Sequence, residues 1–128
     1  MKQYLGIDYG TKRMGLAVAS DDSGRARALT TIEPAHLPEI ISEYGPFELI
    51  VLGLPRSLDG DDTRQTAEVR KFAGELSESS GLEVILIDEA GTSSVATDRL
   101  RQRNKKFAKS DIDAEAASII LQDYLDQL

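Results

Sequence analysis

At 128 residues, with 41% apolar and 29% charged side chains, the chain has the composition of one ordinary globular domain. It contains no cysteine, which excludes disulfides, thiolate nucleophiles and cysteine-ligated metal sites and favours a reducing compartment. No window approaches the roughly eighteen apolar residues of a membrane helix, and residues 1–10 lack the apolar core of a signal peptide. We therefore expect a cytoplasmic protein without a membrane partner.

The charge is distributed unevenly along the chain. The formal net charge of -7, from 22 acidic and 15 basic residues, argues globally against binding to nucleic acid. Six of the basic residues nevertheless fall in residues 99–109, RLRQRNKKFAK, which contain no acid. This segment is compatible with a local phosphate-binding surface, although a solvated helix end explains it as well.

The first third of the chain predicts an antiparallel meander. Residues 3–9 and 13–20 have the pattern of two strands joined by a tight turn at Gly10. Residues 21–24, DDSG, mark a second turn, and residues 26–33 are the third predicted strand. Connections this short keep successive strands adjacent and antiparallel.

The rest of the chain predicts alternating strands and helices. Residues 48–54 and 83–88 are continuous apolar runs, as in strands that are covered on both faces. Ser110 is the expected N-cap of the last helix. Helices are predicted at residues 36–44, 63–79, 92–103 and 111–127, and in the third of them Val95, Ala96 and Leu100 are expected to face inward. This order predicts an α/β fold, in which a three-strand antiparallel meander is extended by two parallel strands through helical crossovers.

Asp8 is the first candidate for chemistry, because it interrupts an apolar strand. A lone carboxylate in such a place costs several kcal/mol unless it is paired, hydrogen-bonded or bound to a metal. The structural alternative is that Asp8 caps a turn or pairs with Lys12 or Arg13.

Two further acidic positions occur near element ends. Asp88 and Glu89 follow an apolar run at the carboxyl end of a predicted strand, where ligands gather in open sheets. Adjacent strand residues point to opposite faces, so only one of the two is expected to face Asp8. Asp113 lies in the first turn of the last predicted helix, where capping and a favourable interaction with the helix dipole are the structural alternative.

Together, three acids on separate elements suggest a site of hard oxygen ligands, which Mg²⁺ or Mn²⁺ requires. The single histidine, His36, lies far along the chain from them and offers no zinc triad. A pair of such ions activates water and stabilises the leaving oxygen in phosphodiester cleavage. A bound cation would also offset the cost of burying Asp8.

Four motifs carry a resemblance to a known family. They are LGIDYGTKRMGLAVA at 5–19, VLGLPRSLDG at 51–60, VRKFAGEL at 69–76 and DIDAEAASIILQDYL at 111–125. In this order, and over nearly the whole chain, they resemble the YqgF/RuvX family, nucleases for precursor 16S ribosomal RNA that are also described as Holliday-junction-resolvase-like. The match of four ordered motifs is far more specific than any one of them.

The resemblance implies an RNase H-like fold, with residues 1–128 as a single nuclease domain. It implies that Asp8 and Asp113 are catalytic metal ligands. The third acid comes from a D-E-R-x-[ST]-[ST] motif, which falls on DEAGTSS at 88–94. We take Glu89 as that ligand, with Asp88 in reserve, and expect two Mg²⁺ or Mn²⁺ ions.

The chain departs from the family at the arginine of that motif, which is replaced by Ala90 and followed by Gly91. We expect slower cleavage or a substitute base on the scissile phosphate. The candidates for that substitute are Arg56, Arg103, Lys105, Lys106 and Lys109. Lys12 and Arg13 are expected to contact backbone phosphates. At 5% aromatic residues and no Trp, a base-stacking platform is not expected.

The leading hypothesis is a metal-dependent nuclease for 5′-end maturation of precursor 16S rRNA. Branched DNA is the alternative substrate, and symmetrical cutting of a four-way junction would need a homodimer, whereas the sequence leaves monomer and homodimer open. Ala90 motivates a third hypothesis, an RNA-binding ribosome-assembly factor with weakened catalysis. The D-x-G-T-K-R stretch also resembles the first phosphate loop of actin-like ATPases, but 128 residues leave no room for their second domain.

Overall fold

The computed structural model describes residues 1–57, 59–89, 92–103 and 106–128. Within these ranges the strands are β1 (Gln3–Asp8), β2 (Met14–Ser20), β3 (Arg27–Ile32), β4 (Leu49–Pro55) and β5 (Glu83–Glu89). The helices are α1 (Leu37–Tyr44), α2 (Arg64–Ser80), α3 (Thr92–Gln102) and α4 (Lys109–Asp126), with a 3₁₀ turn at Pro34–His36 before α1. No helix in the described part of the chain is long and apolar enough to cross a membrane.

The strands form one mixed sheet in the order β3-β2-β1-β4-β5. β1 and β2 are antiparallel, as are β2 and β3, because tight turns connect them. β4 runs parallel to β1, and β5 runs parallel to β4. The predicted fold class, an antiparallel meander extended by two parallel strands, is therefore confirmed.

Alternate residues of the strands face two separate apolar cores. One core lies between the sheet and helices α1 and α2, and its strand members include Leu5, Ile7, Leu16, Ile50 and Leu52. The other lies under α4, and its strand members include Tyr4, Ala17, Ala19, Leu49 and Val51. β4 is thus covered on both faces, as its continuous apolar run predicted. The same prediction is wrong for residues 83–88, because β5 lies at the edge of the sheet, where Leu86 is 37% exposed.

Helix α4 lies close to its face of the sheet because glycines in the strands leave room for it. A Cβ on Gly6 would lie 2.7 Å from the Cβ of Leu121, and one on Gly53 would lie 2.5 Å from the Cδ1 of Ile120. At Gly6 the crowded atoms are the Cβ of Leu121 and the backbone carbonyl of Ala117, so a larger residue would push the helix away, whereas at Gly53 the end of the Ile120 side chain would have to turn aside. Gly6 therefore limits how near α4 comes to the strands.

The ends and faces of two helices differ from the prediction. α4 begins at Lys109, and its N-cap is Ala108 rather than Ser110. The Oδ2 of Asp111 accepts a hydrogen bond from the backbone N–H of Ala108 at 2.8 Å, which satisfies an amide at the helix start. In α3, Val95 was expected to point inward but is 46% exposed.

Candidate active site

The end of β1 brings Asp8 beside Asp113 of α4. Asp8 is the last residue of β1, and its register partner on β2 is Gly15. A Cβ on Gly15 would overlap the backbone carbonyl of Asp113, so the helix reaches this row of the sheet only because the position is glycine. Two acids from opposite ends of the chain are thereby neighbours.

The surroundings of Asp8 disfavour its negative charge. Burial, reinforced by the nearby charge of Asp113, raises the pKa of Asp8 to about 7 from its ordinary value of 3.8. The carboxylate form would be favoured by a cation placed between the two acids, because opposite charges lower the pKa of a carboxyl group. The electrostatics at this point therefore suit a bound positive charge.

Arg13 supplies one positive charge to the pair from the turn between β1 and β2. Its Nε donates a hydrogen bond to the Oδ2 of Asp113 at 2.8 Å, with 40% of the Arg13 side chain and 22% of the Asp113 side chain exposed. The structural alternatives for these residues were a pair between Arg13 and Asp8 and a capping role for Asp113. The structure instead joins Arg13 to Asp113, and the amide at the start of α4 is satisfied by Asp111.

The alternation of β5 separates Asp88 from Glu89. Ile85 and Ile87 pack in the core under α4, so Glu89 shares the face of Asp8. The Oε1 of Glu89 is buried, and its Cγ lies 3.7 Å from the position of a Cβ on Gly53. Leu52 of β4 pairs with Ile7 of β1, so Gly53, the next residue of β4, lies beside Asp8 in the sheet. Glu89 thus extends toward the part of β4 that lies next to Asp8.

Asp88 faces the other way and belongs to an ion-pair network around Arg56. The Nε of Arg56 lies 3.1 Å from the Oδ1 of Asp88, and its Nη1 lies 2.6 Å from the Oδ1 of Asp62. Arg70 contacts the second oxygen of Asp62 at 2.7 Å. The backbone N–H of Arg56 also donates to the carbonyl of Glu89 at 3.2 Å. Arg56 therefore ties the loop after β4 to the end of β5.

The other predicted phosphate ligands fall in two places. Lys12 is exposed in the turn that carries Arg13. Arg103, Lys106 and Lys109 lie around the connection from α3 to α4, where all three are exposed. Lys105, Ala90 and Gly91 lie outside the described residues.

Glu115 is a candidate for positioning Arg103 that was not predicted from the sequence. It is only 4% exposed, and its two oxygens accept hydrogen bonds from the Nη1 and Nη2 of Arg103 at 3.3 and 2.8 Å. Arg99, one turn earlier on α3, approaches the Oε1 of Glu115 to 3.9 Å. An acid inside the otherwise small and apolar run AEAASII was the available signal, of the same kind that identified Asp8.

The donor chemistry of this edge of the sheet fits a hard divalent cation. Asp8 and Asp113 adjoin, and Glu89 lies on the same face, so the oxygen ligands that Mg²⁺ prefers are present. Within the described ranges, however, no three His, Asp or Glu side chains are gathered as a ready-made metal cluster. A half-buried carboxyl group beside a second carboxylate, as at Asp8 and Asp113, is an environment that a bound cation would stabilise.

Comparisons with known proteins agree with the fold and the motifs. The model of the RuvX family, described as Holliday junction resolvase, matches residues 2–127. A protein of Burkholderia ambifaria (strain MC40-6) named "Putative pre-16S rRNA nuclease" is 38% identical, over 97% of this chain and 89% of its own length. A protein of the same name from Burkholderia vietnamiensis (strain G4) is 37% identical, over 98% of this chain and 89% of its own.

Solved structures extend the likeness to three dimensions. The structure of Thermus thermophilus RuvC has a TM-score of 0.58 at 16% identity, over 98% of this chain and 96% of that one. The complex of T. thermophilus RuvC with a Holliday junction substrate has a TM-score of 0.56 at 18% identity, over 98% and 94% of the two chains. At such identities the likeness is one of fold, and it confirms the RNase H-like architecture.

Proposed function

The chain belongs to the RuvX family, whose description is Holliday junction resolvase, and we propose that it is a divalent-metal-dependent nuclease for the 5′ end of precursor 16S rRNA. It is a nuclease with nucleic acid as its partner, a hydrolase that acts on phosphodiester bonds. The RNA substrate, the metal and the site residues are the proposal. The names of the relatives at 38% identity support the substrate, which would place the protein in the cytoplasm.

The observation that carries the proposal is the position of Asp8, half-buried at the end of β1 beside Asp113. We assign Asp8, Glu89 and Asp113 as the ligands, and leave out Asp88 because it lies on the other face with Arg56. When bound, one or two Mg²⁺ or Mn²⁺ ions supply the Lewis acidity for phosphodiester hydrolysis. Residues 1–128 act as a single domain in this proposal.

The basic residues divide into positioning and phosphate-binding roles. Arg13 orients Asp113 through its Nε, which leaves the rest of the guanidinium to face a phosphate oxygen. Lys12, Lys106 and Lys109 are exposed and would contact backbone phosphates, which positions the substrate without reading its sequence. Lys105 has the same proposed role and lies outside the described residues. Arg56 forms ion pairs with Asp62 and Asp88, so its main proposed role is to hold the loop after β4 in place.

The first experiment tests cleavage of a precursor 16S rRNA leader in Mg²⁺, Mn²⁺ or EDTA. The wild type is expected to cut in either metal and not in EDTA, and Asp8→Asn is expected to lose at least about a hundredfold in rate because a charged ligand becomes neutral. Asp98→Asn, an exposed aspartate of α3, is the matched control and should cut like the wild type. Equal cutting by Asp8→Asn would contradict the assignment.

The family description favours a second candidate substrate, branched DNA. A four-way DNA junction is therefore assayed beside the RNA, together with the sedimentation of the free protein. Preference for the junction and a homodimer in solution would select the resolvase activity, whereas preference for the leader RNA by a monomer selects the proposal. RNA that is bound but never cut in any metal would indicate an assembly factor.

A further inference from the structure

We propose that a groove between β3 and the α3–α4 connection binds one unpaired nucleotide of the substrate, next to the scissile phosphate. This inference rests on the proposed nuclease function and names a subsite for it. The β3–α4 groove has a volume of about 480 Å³, which is within the usual range of roughly 300–1,000 Å³ for small-molecule sites. Its lining includes Thr31, Leu100, Arg103, Lys106, Phe107 and Glu115.

The register of the sheet places this groove beside the carboxylates. Thr31 of β3 pairs with Gly15 of β2, which in turn pairs with Asp8 of β1. Neighbouring strands lie about 4.8 Å apart, so the backbones of Thr31 and Asp8 are about 10 Å apart along one row. The Oγ1 of Thr31 donates to the carbonyl of Ser110 at 2.5 Å, which shows that Thr31 faces α4, the side on which Asp113 lies. A strand cut at Asp8 can therefore place a flanking nucleotide in the groove.

The described residues that line the groove include two cations, Arg103 and Lys106, and two carboxylates, Asp111 and Glu115. Both carboxylates are engaged, since Asp111 accepts from the backbone N–H of Ala108 and Glu115 accepts from Arg103. Glu115, whose side chain is 5% exposed, holds the Nη1 and Nη2 of Arg103, while 54% of the Arg103 side chain stays exposed. The buried carboxylate thus orients one edge of the guanidinium and leaves the other toward solvent. Lys106 is exposed, and no ion pair engages it within the described ranges. These two cations suit the phosphate of the flanking nucleotide.

Phe107 supplies an apolar surface beside those cations. It is half-buried, so part of its side chain is held by the protein and part is accessible from the groove. Bases that are not paired stack on such rings, and each stacked base is worth about 1–3 kcal/mol. With aromatic residues at only 5% of the chain, the surface accommodates one base rather than a run of them.

This arrangement predicts which substrates are preferred. A base that stacks on Phe107 has to be unpaired, because a paired base offers its faces only to its neighbours in the helix. An RNA with a single-stranded nucleotide at the cut should therefore bind better than a fully paired RNA of the same sequence.

The test uses Phe107→Trp, because the chain has no other Trp and the new indole reports on the groove alone. A short single-stranded RNA is titrated in EDTA, so that binding is measured without cleavage. We expect the Trp emission to be quenched with the same midpoint that the anisotropy of a fluorescein-labelled RNA gives. The fully paired RNA is expected to bind more weakly and to quench less.

Two further variants separate the stacking and the charge. Phe107→Leu keeps apolar bulk and is expected to weaken RNA binding by about tenfold, with its unfolding curve close to the wild type. Lys106→Ala is expected to weaken binding by a few fold. Lys71 is also exposed but lies on α2, so Lys71→Ala should not change binding.

The outcomes distinguish this inference from the nuclease proposal, since cleavage of the leader RNA is measured in parallel. RNA that binds without quenching the Trp, while the wild type cuts, would overturn the groove alone. Quenching without any cleavage would overturn the nuclease proposal alone. Equal binding and quenching by paired and single-stranded RNA would overturn the requirement for an unpaired base.

Discussion

The carboxyl group of Asp8 carries its negative charge at a cost to the folded protein. Its pKa is raised to about 7 by burial and by Asp113, whereas the unfolded chain has the ordinary value of 3.8. Between these values the folded state holds a proton that the unfolded state has lost, so the stability contributed by this group falls as the pH rises from about 4 to about 7. A cation bound at neutral pH would remove this penalty.

Asp8→Asn should therefore change how stability depends on pH. At pH 4 the variant and the wild type are expected to be similarly stable in EDTA, and by pH 8 the variant should be more stable, by on the order of 4 kcal/mol at most, since each pH unit of the interval corresponds to about 1.4 kcal/mol. Denaturant unfolding across the pH range measures this difference. Asp98→Asn is the control, and a difference that does not grow with pH would refute the burial argument.

Among the elements, α4 is the one whose close contact with the sheet places Asp113 beside Asp8. Its backbone touches the strands where glycines leave space, and the carbonyl of Asp113 occupies the position that a side chain on residue 15 would need. The distance between Asp8 and Asp113 is therefore set by contact between backbones. Backbone atoms in a helix and a strand move apart much less easily than packed side chains rearrange. The opposite helix, α2, has no comparable contact at Gly74, where a Cβ would meet nothing within 4 Å.

These two glycines make a matched pair of variants. Gly15→Ala is expected to destabilise the protein by about 3 kcal/mol, because the new methyl overlaps a backbone carbonyl, and to abolish cleavage by moving Asp113. Gly74→Ala should stabilise α2 by roughly 0.5–1 kcal/mol and leave cleavage unchanged, because alanine loses less backbone entropy in a helix. Urea unfolding and a cleavage assay measure both. Full activity in a folded Gly15→Ala protein would show that the close contact is dispensable.

For the molecule as a whole, the net charge of -7 opposes binding to nucleic acid, whereas the clustered basic residues favour it locally. The overall field repels nucleic acid, so the proposed binding would depend on the exposed cations at Lys12 and around the α3–α4 connection. We therefore expect nucleic acid to be attracted locally, at the proposed site, rather than by the protein as a whole.

The affinity for single-stranded RNA should accordingly fall steeply with salt. If Lys12, Lys105, Lys106 and Lys109 each neutralise one phosphate, the slope of log K against log salt is expected to be about -3, since each contact contributes about -0.7. Anisotropy over a series of KCl concentrations measures the slope, and Lys106→Ala should reduce its magnitude by about 0.7. A slope near zero would mean that phosphate contacts contribute little.

The fold was predictable because its signals are local or periodic. Continuous apolar runs identified β4 and β5 as strands, and tight turns identified the meander. Because side chains alternate along a strand, Asp88 and Glu89 of β5 had to face opposite sides of the sheet. The contact of Arg13 with Asp113 was not predictable, because two residues a hundred positions apart leave no local pattern. Glu115 was missed for a related reason, since its partners Arg99 and Arg103 come from another helix.

The division of the core by the sheet has a consequence for how this protein can be altered. Among the residues that the structure describes, the core between the sheet and α1 and α2 shares no side chain with the one under α4. Substitutions more than about 7–10 Å apart that share no partners act nearly independently. We therefore expect that thermal tolerance can be engineered, or drift during evolution, through residues of α2 without shifting the proposed catalytic acids.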